Sequence, residues 1–428
     1  MASGPAPEER ANGPVRHGAL PSYLLEKAVI VLRHGVRAPL CSEEIARWSG
    51  KPWPRWEVAD GQMTPHGRSA VVLMGRYMGE YLTRHGLLAD QRVPSGTSLF
   101  VSSSHLPRAQ ESARAFTQGM LPEQPFTLYR ERHDRVFLPA EKDGMEDAAP
   151  RIRAESLAVH GGALEAARRH HQGDLDTLEA VVGRPAHAAQ GVPLSHARLA
   201  GLPWIFGDAP PYDQIQPLAI ANQMIETFRM QYANAAPLSR VAFGHVKDLP
   251  ELNALSRLQT AHYAATLGTA YLATHRGSQM MHEIACALKS VESRDTGPQA
   301  ASIQVYGGHD TNIGALRSML GFHWHLPDGL PDEMPPGGAL VFERWFGTQG
   351  EDKGRRFIRV SYVAPSLNQI RDLTPLTLRH PPATQDLIVA TSRHVQGIGY
   401  LAARDALLEK MMHAIDAGPL RQLDLEPS

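Results

Sequence analysis

The sequence predicts an α/β core interrupted by a mainly helical insertion, and three observations carry that prediction. Strand-like apolar runs cluster before about Leu138 and after about Ala300. The stretch between them reads as helix after helix. Three of the runs share one order of features, namely strand, turn, chemically active side chains, helix, and open α/β sheets hold their ligands beyond the carboxyl ends of their strands. The first run, Ala28-Val29-Ile30-Val31-Leu32, leads directly into Arg33-His34-Gly35-Val36-Arg37-Ala38-Pro39. A helical pattern follows from Ser69 to about Arg84, with Gly86 as its C-terminal cap. Ser98-Leu99-Phe100-Val101 is the second strand, followed by Ser102 to Arg108 and a helix from Ala109. The insertion reads as helices from Arg151 to about Ala167, Gln216 to Gln231, Leu252 to about Thr274, and His282 to about Val291. Turns at Gly201-Leu202-Pro203 and Asp208-Ala209-Pro210-Pro211 punctuate it. Ile303-Gln304-Val305-Tyr306 is the third strand, ending in Gly307-Gly308-His309-Asp310-Thr311-Asn312 before another helix. Val341-Phe342-Glu343 and Phe357 to Val363 complete the second group of strands. The expected units are a leader over 1–21, a core over 22–138 and 295–428, and a helical lobe over 139–294.

The three strand ends bring Arg-His-x-x-Arg, Arg and His-Asp to one edge. Arginine's planar fork binds phosphate in bidentate fashion, and histidine serves as nucleophile or acid–base group, so the set points to phosphoryl chemistry. His34 would attack phosphorus and must therefore be neutral. Arg33, Arg37 and Arg108 favour that state, because nearby positive charge disfavours imidazolium. The same guanidiniums and His309 would hold the phosphoryl oxygens and the charge that develops on them. Asp310 would protonate the departing alcohol and then, as carboxylate, activate the water that cleaves the phosphoenzyme. Arginines depress its pKa and an incoming phosphate raises it, so acid function is expected mainly in the complex and at low pH. Asp310 and Asn312 are also candidate helix caps.

Other features read as ordinary. Arg-His-Gly recurs at Arg16-His17-Gly18 and Arg84-His85-Gly86, the first in a Pro/Gly/Ala-rich leader and the second at a helix end, both expected on the solvated surface. His170-His171 is expected at a solvated helix end. His282-Glu283 begins like a zinc-protease helix, but Cys286 stands where the second histidine is needed, so no metal site is expected. The 428 residues carry 43 basic and 44 acidic side chains, which provides no global field for nucleic acid. No stretch has the roughly 18 apolar residues of a membrane span, and the opening Met1 to Pro7 lacks a signal-peptide pattern.

On these residues the chain resembles the histidine acid phosphatases, the second branch of the histidine phosphatase superfamily. Arg33 to Pro39 is similar to the family's nucleophile motif at every position, and Gly308-His309-Asp310-Thr311-Asn312 is similar to its distal motif. Met63-Thr64-Pro65-His66-Gly67, Pro335 to Trp345 and Arg371-Asp372-Leu373-Thr374-Pro375-Leu376 look like segments of bacterial periplasmic phytases and glucose-1-phosphatases. The resemblance runs from about Leu24 to about Ile415. It implies a phosphoglycerate-mutase-like mixed sheet flanked by helices, with the site in the cleft beside the helical lobe. It also implies a cofactor-independent acid phosphomonoesterase acting on sugar or inositol phosphates through a phosphohistidine, in the periplasm or secreted. His34 and Asp310 would be catalytic, Arg33, Arg37, Arg108 and His309 phosphate-binding, and Leu40, Cys41, Glu226 and Thr311 substrate-binding. Glu226 matches a substrate-facing acidic position in the phytases and would accept sugar hydroxyls. Leu40-Cys41 stands where phytases carry threonine and lysine for outer phosphates, which favours small monophosphates. The acidic residues that precede the phosphate-binding arginine in phytases are missing around Ser104 to Pro107. Only Cys41 and Cys286 are present, so the relatives' disulfides are not expected. The alternatives are a first-branch, phosphoglycerate-mutase-like phosphatase, which lacks His-Asp-Thr-Asn, and a catalytically silent phospholigand-binding protein.

Overall fold

The alternation in Ala28-Val29-Ile30-Val31-Leu32 sends successive side chains to opposite faces of a sheet, and both faces are covered. The computed structural model describes residues 21–89, 91–94, 98–138, 145–184, 198–290, 297–418 and 420–428. The leader's Arg16-His17-Gly18 and the ends of the expected units near 139 and 295 lie outside these.

Among the described residues there are ten strands: β1 (Tyr23–Arg33), β2 (Leu99–Ser103), β3 (Leu128–Glu131), β4 (Ile303–Gly308), β5 (Ala339–Gly347), β6 (Arg356–Ala364), β7 (Ala383–Asp386), β8 (Arg393–Val395), β9 (Gly399–Ala403) and β10 (Leu425–Pro427). They form a mixed sheet in the order β10-β3-β2-β4-β1-β5-β6-β9-β8, with β7 also on β6. The β3-β2-β4-β1 stretch is parallel, and β5 and β6 continue it antiparallel. Every predicted strand is present and longer than its apolar run, since backbone pairing continues past the last apolar side chain.

The helices are α1 (Ser42–Arg47), α2 (Pro65–Arg84), α3 (Pro107–Met120), α4 (Met145–Ala158), α5 (Leu164–Val182), α6 (Gln216–Ala233), α7 (Leu249–Leu255), α8 (Arg257–Leu267), α9 (Ala270–Lys289), α10 (Asp310–Leu320), α11 (Leu367–Arg371) and α12 (Arg404–His413). Ala28, Ile30 and Leu32 pack with α2 and α3 through Met74, Phe116 and Met120. Val29 and Val31 pack with α9, α10 and α12 through Met281, Leu316 and Met411. At about 1.5–3 kcal/mol for each fully buried aliphatic side chain, this two-sided burial fixes the register of β1. A separate cluster on α5, α6 and α7 forms the helical lobe, and Val36, Ile45 and Ile370 from core segments join it. No helix among the described residues is long and apolar enough to cross a membrane.

Several helix boundaries differ from the expected ones. α2 begins at Pro65 instead of Ser69, because the Thr64 hydroxyl caps the Gly67 amide at 2.9 Å and proline suits the first helical position. The helix expected from Arg151 to Ala167 is two helices, α4 and α5. Gly161 and Gly162, at φ +87° and +81°, break it, and α5 runs on to Val182. His171 therefore sits within a helix and is buried against His160, with 3.2 Å between ring nitrogens, contrary to the solvated end expected of it. The stretch from Leu252 to Thr274 divides into α7, α8 and the start of α9, and His282 lies inside α9. His85 is half-covered by the rings of Tyr81 and Trp345, at centroid distances of 4.6 and 5.1 Å, rather than freely solvated. Gly86, at φ +78°, ends α2 as expected.

Candidate active site

Parallel pairing sets the site before any side chain is considered. Arg33 pairs with Gly308 and Ser103 with Gly307, so β1, β2 and β4 end at one level. The ladder extends one residue further: the His34 amide donates to the Gly308 carbonyl and the Ser104 amide to the Gly307 carbonyl, both at 3.0 Å. His34 and His309 thereby become neighbours, their rings edge-on with centroids 5.6 Å apart. Gly35 donates to the Ser112 hydroxyl at 3.0 Å, which ties the loop to α3. Gly67 lets α2 close over the same loop, since a Cβ there would lie 2.4 Å from the Val36 carbonyl oxygen.

The six residues expected to be catalytic or phosphate-binding come together in a cavity of about 360 Å³, which His34, Arg37, Arg108, His309 and Asp310 line directly. His34 is buried and its Nδ1 lies 2.9 Å from the Gly35 carbonyl oxygen. Only a protonated Nδ1 satisfies that oxygen, so Nε2 keeps its lone pair. Burial first, then Arg37, Arg33, His309 and Arg108, holds the imidazole well below the usual histidine range. Burial and Arg108 likewise push His309 down to about 3. Both rings are thereby held toward the neutral form.

Arg33 sits behind the nucleophile. One arm donates to the Met334 carbonyl, and the other meets Glu226 and, at 3.0 Å, Asp310. Burial alone would lower its pKa, but the two carboxylates outweigh burial and raise it. Arg37 lies 3.6 Å from Glu226, and burial lowers its pKa. Burial and Arg37 bring Arg108, in the first turn of α3, down to about 10. The Nε atoms of all three arginines, and both nitrogens of His309, are buried without a hydrogen-bond partner. Buried polar atoms of this kind are costly to leave unpaired, and the charges of the three guanidiniums all act on the His34 imidazole. Three guanidiniums face two carboxylates, so the cluster retains a positive charge suited to an anion.

Asp310 is the first residue of α10. Its Oδ1 accepts from the Thr311 amide at 2.9 Å and its Oδ2 from the Tyr263 hydroxyl at 3.0 Å. Burial raises its pKa, but Arg33, Arg37 and His309 overcome that and hold it below the ordinary carboxylate value. Asn312 is the structural member of the motif: its Oδ1 accepts from the His309 amide and its Nδ2 donates to the Phe137 carbonyl.

Glu226 lines the cavity as well, and its carboxylate is already engaged: one oxygen meets Arg33 and the other accepts from Gln259 at 2.8 Å, so it is a buried counter-ion to that arginine. Leu40, half exposed, and exposed Cys41 line the mouth, and Thr311 lines the wall. Cys41 and Cys286 are not joined in a disulfide. Sequence reading missed Tyr263, His262 and Arg276, all lining the cavity from α8 and α9. They carry no local motif; only the fold brings them within reach. In the turn before Arg108, Ser104 donates to the buried Asp134 carboxylate at 2.8 Å and the His105 ring lies 2.5 Å from it.

Similarity to known proteins agrees with this geometry. The chain is 29% identical to the phytase AppA of Escherichia coli over 408 residues, covering 89% of this chain and 90% of that one. It is 26% identical to a glucose-1-phosphatase of Salmonella typhimurium, covering 84% and 85%. The structure of Klebsiella sp. ASR1 phytase superposes with a TM-score of 0.81 at 26% identity, covering 94% of this chain and 98% of that chain. Hafnia alvei phytase in complex with tartrate gives 0.81 at 28%, covering 94% and 100%. The family description for the histidine phosphatase superfamily (branch 2) matches residues 24–363, which removes the first-branch alternative. This chain belongs to the second branch of the histidine phosphatase superfamily.

Proposed function

We propose that this enzyme is an acid phosphomonoesterase that hydrolyses sugar or inositol phosphates through a phosphohistidine at His34. The observation that carries the reading is the set of buried, unpartnered donors on Arg33, Arg37, Arg108 and His309 around an imidazole whose Nδ1 is committed to Gly35. A phosphoryl group satisfies those donors while Nε2 attacks phosphorus and the P–O bond to the leaving group breaks. Asp310 gives its proton to the departing oxygen, and its carboxylate then takes a proton from the water that cleaves the N–P bond. The phosphate's own charge offsets the guanidiniums and allows Asp310 to hold a proton in the complex. Relatives named phytase and glucose-1-phosphatase support the substrate class, and the resemblance also carries a periplasmic or secreted location.

The arginines supply the charge stabilisation that other phosphatases take from metal ions. Phosphate release from glucose 1-phosphate, phytate and nitrophenyl phosphate, measured from acid to neutral pH, is expected to persist in a chelator and to vanish in His34→Ala. Tight phosphate binding without turnover would overturn the reading. Leu40 and Cys41 place no cation at the mouth, so glucose 1-phosphate is the preferred substrate. Cys41→Lys should move the kcat/KM ratio toward phytate by roughly fivefold, the value of one exposed charge contact. An unchanged ratio would remove the mouth from the account of specificity.

A further inference from the structure

Asp310 and Tyr263 meet because two helices lie in register. Gly314 of α10 accepts the Leu267 side chain of α8, which stands 2.9 Å from where a Gly314 Cβ would be, and the Ser318 hydroxyl donates to the Gly268 carbonyl at 3.3 Å. Tyr263 is one turn before Leu267 and Asp310 one turn before Gly314, so the same faces that pack at Leu267 and Gly314 bring phenol and carboxyl together. The resulting bond lands on Oδ2, the oxygen that Arg33 also approaches at 3.0 Å. Oδ2 thus accepts one side-chain hydrogen bond and faces one guanidinium, whereas Oδ1 accepts from the Thr311 amide.

We infer that Tyr263 is a positioning residue for the acid: it anchors Asp310 through Oδ2 and thereby commits Oδ1 to carrying and delivering the proton. The inference rests on Asp310 acting as the acid. A carboxyl oxygen that accepts a hydrogen bond and also faces a guanidinium is the poorer place for a proton, so the transferable proton resides on the other oxygen. The groups that face this carboxyl come from every element around it: Arg33 at the end of β1 and Arg37 in the loop after it, Arg108 on α3, His309 ahead of α10, Glu226 on α6, His262 and Tyr263 on α8, and Tyr362 on β6. Of these, Tyr263 is the neutral donor in direct contact. Its phenol stays protonated, since burial and then Asp310 and Glu226 hold its pKa well above the ordinary tyrosine value.

The test is Tyr263→Phe, which keeps the ring and removes the donor. It should lower kcat/KM for a sugar phosphate roughly tenfold, equivalent to about 1.4 kcal/mol, and change kcat/KM for nitrophenyl phosphate far less, because that leaving group needs little protonation. The basic limb of the kcat/KM–pH profile, which reports the acid of the free enzyme, should move to higher pH, since a carboxylate that loses a donor becomes easier to protonate. In an Asp310→Asn background the same substitution should cost nothing further on either substrate. Equal losses on both substrates with an unmoved limb, or the same loss in the Asn background, would show a merely structural tyrosine and overturn the inference. The Asp310→Asn variant alone tests the assignment beneath it: a loss independent of leaving group would remove Asp310 as the acid, and the role of Tyr263 with it.

Discussion

Residues that act through local grammar were readable, and those that act across the fold were not. Arg33, His34, Arg37, Arg108, His309 and Asp310 each lie at or just past a strand end, and a strand end is visible in a dozen residues of sequence. Glu226 shows the opposite case: its acidity and helical setting were legible, but its partner Arg33 lies 193 positions away, so its role as counter-ion was not. The two roles make different predictions. Glu226→Gln leaves Arg33 buried with Asp310 as its remaining charged partner, and should cost about 3 kcal/mol, the low end for breaking a buried pair. Urea denaturation measures that loss. If Glu226 instead bound a sugar hydroxyl, stability would stay unchanged and only KM for glucose 1-phosphate would rise.

Among the elements, α2 shows how packing delivers chemistry. Its Thr64-Pro65 start was hidden because an apolar periodicity signal begins only where side chains reach the core, whereas the cap depends on one hydroxyl. Likewise α4 and α5 read as one helix, since Gly161-Gly162 interrupts the backbone without disturbing polarity; that is why His171 was expected at the surface. The closeness of α2 to the nucleophile loop gives a prediction. Gly67→Ala drives a Cβ to 2.4 Å from the Val36 carbonyl oxygen, so α2 must withdraw from the loop that positions His34. Stability should fall by about 1–3 kcal/mol, and kcat should fall with it. Gly86→Ala is the control: at φ +78° with no atom within 4 Å, it should cost about 1–2 kcal/mol of backbone strain and leave kcat unchanged. Equal effects of the two on kcat would mean that α2 does not position the site.

For the whole molecule, the order of the sheet could not be read from patterning alone, because strand pairing is set by contacts hundreds of residues apart, such as Val29 with Gln304. The folded chain also carries an acid liability. Burial is the first cause holding His171 and His262 to about 4 and His309 to about 3, against an ordinary 6.5. Below 6.5 the unfolded chain binds protons that the folded one refuses, so stability is full above that pH and is lost as pH falls toward 4. Thermal melting should show Tm declining across that window, with phosphate offsetting part of the loss by binding the folded form. A Tm that stays flat or rises on acidification would contradict the neutral state assigned to these rings. The central claim is more direct still, that His34 is the atom donor to phosphorus. Rapid mixing with a sugar phosphate, a quench in alkali, where the N–P bond survives, and peptide mapping by mass spectrometry should find phosphate on the peptide that carries His34 and none in His34→Ala. Phosphate on His309 instead, or product released in a single turnover with no phosphorylated peptide at any time point, would contradict it.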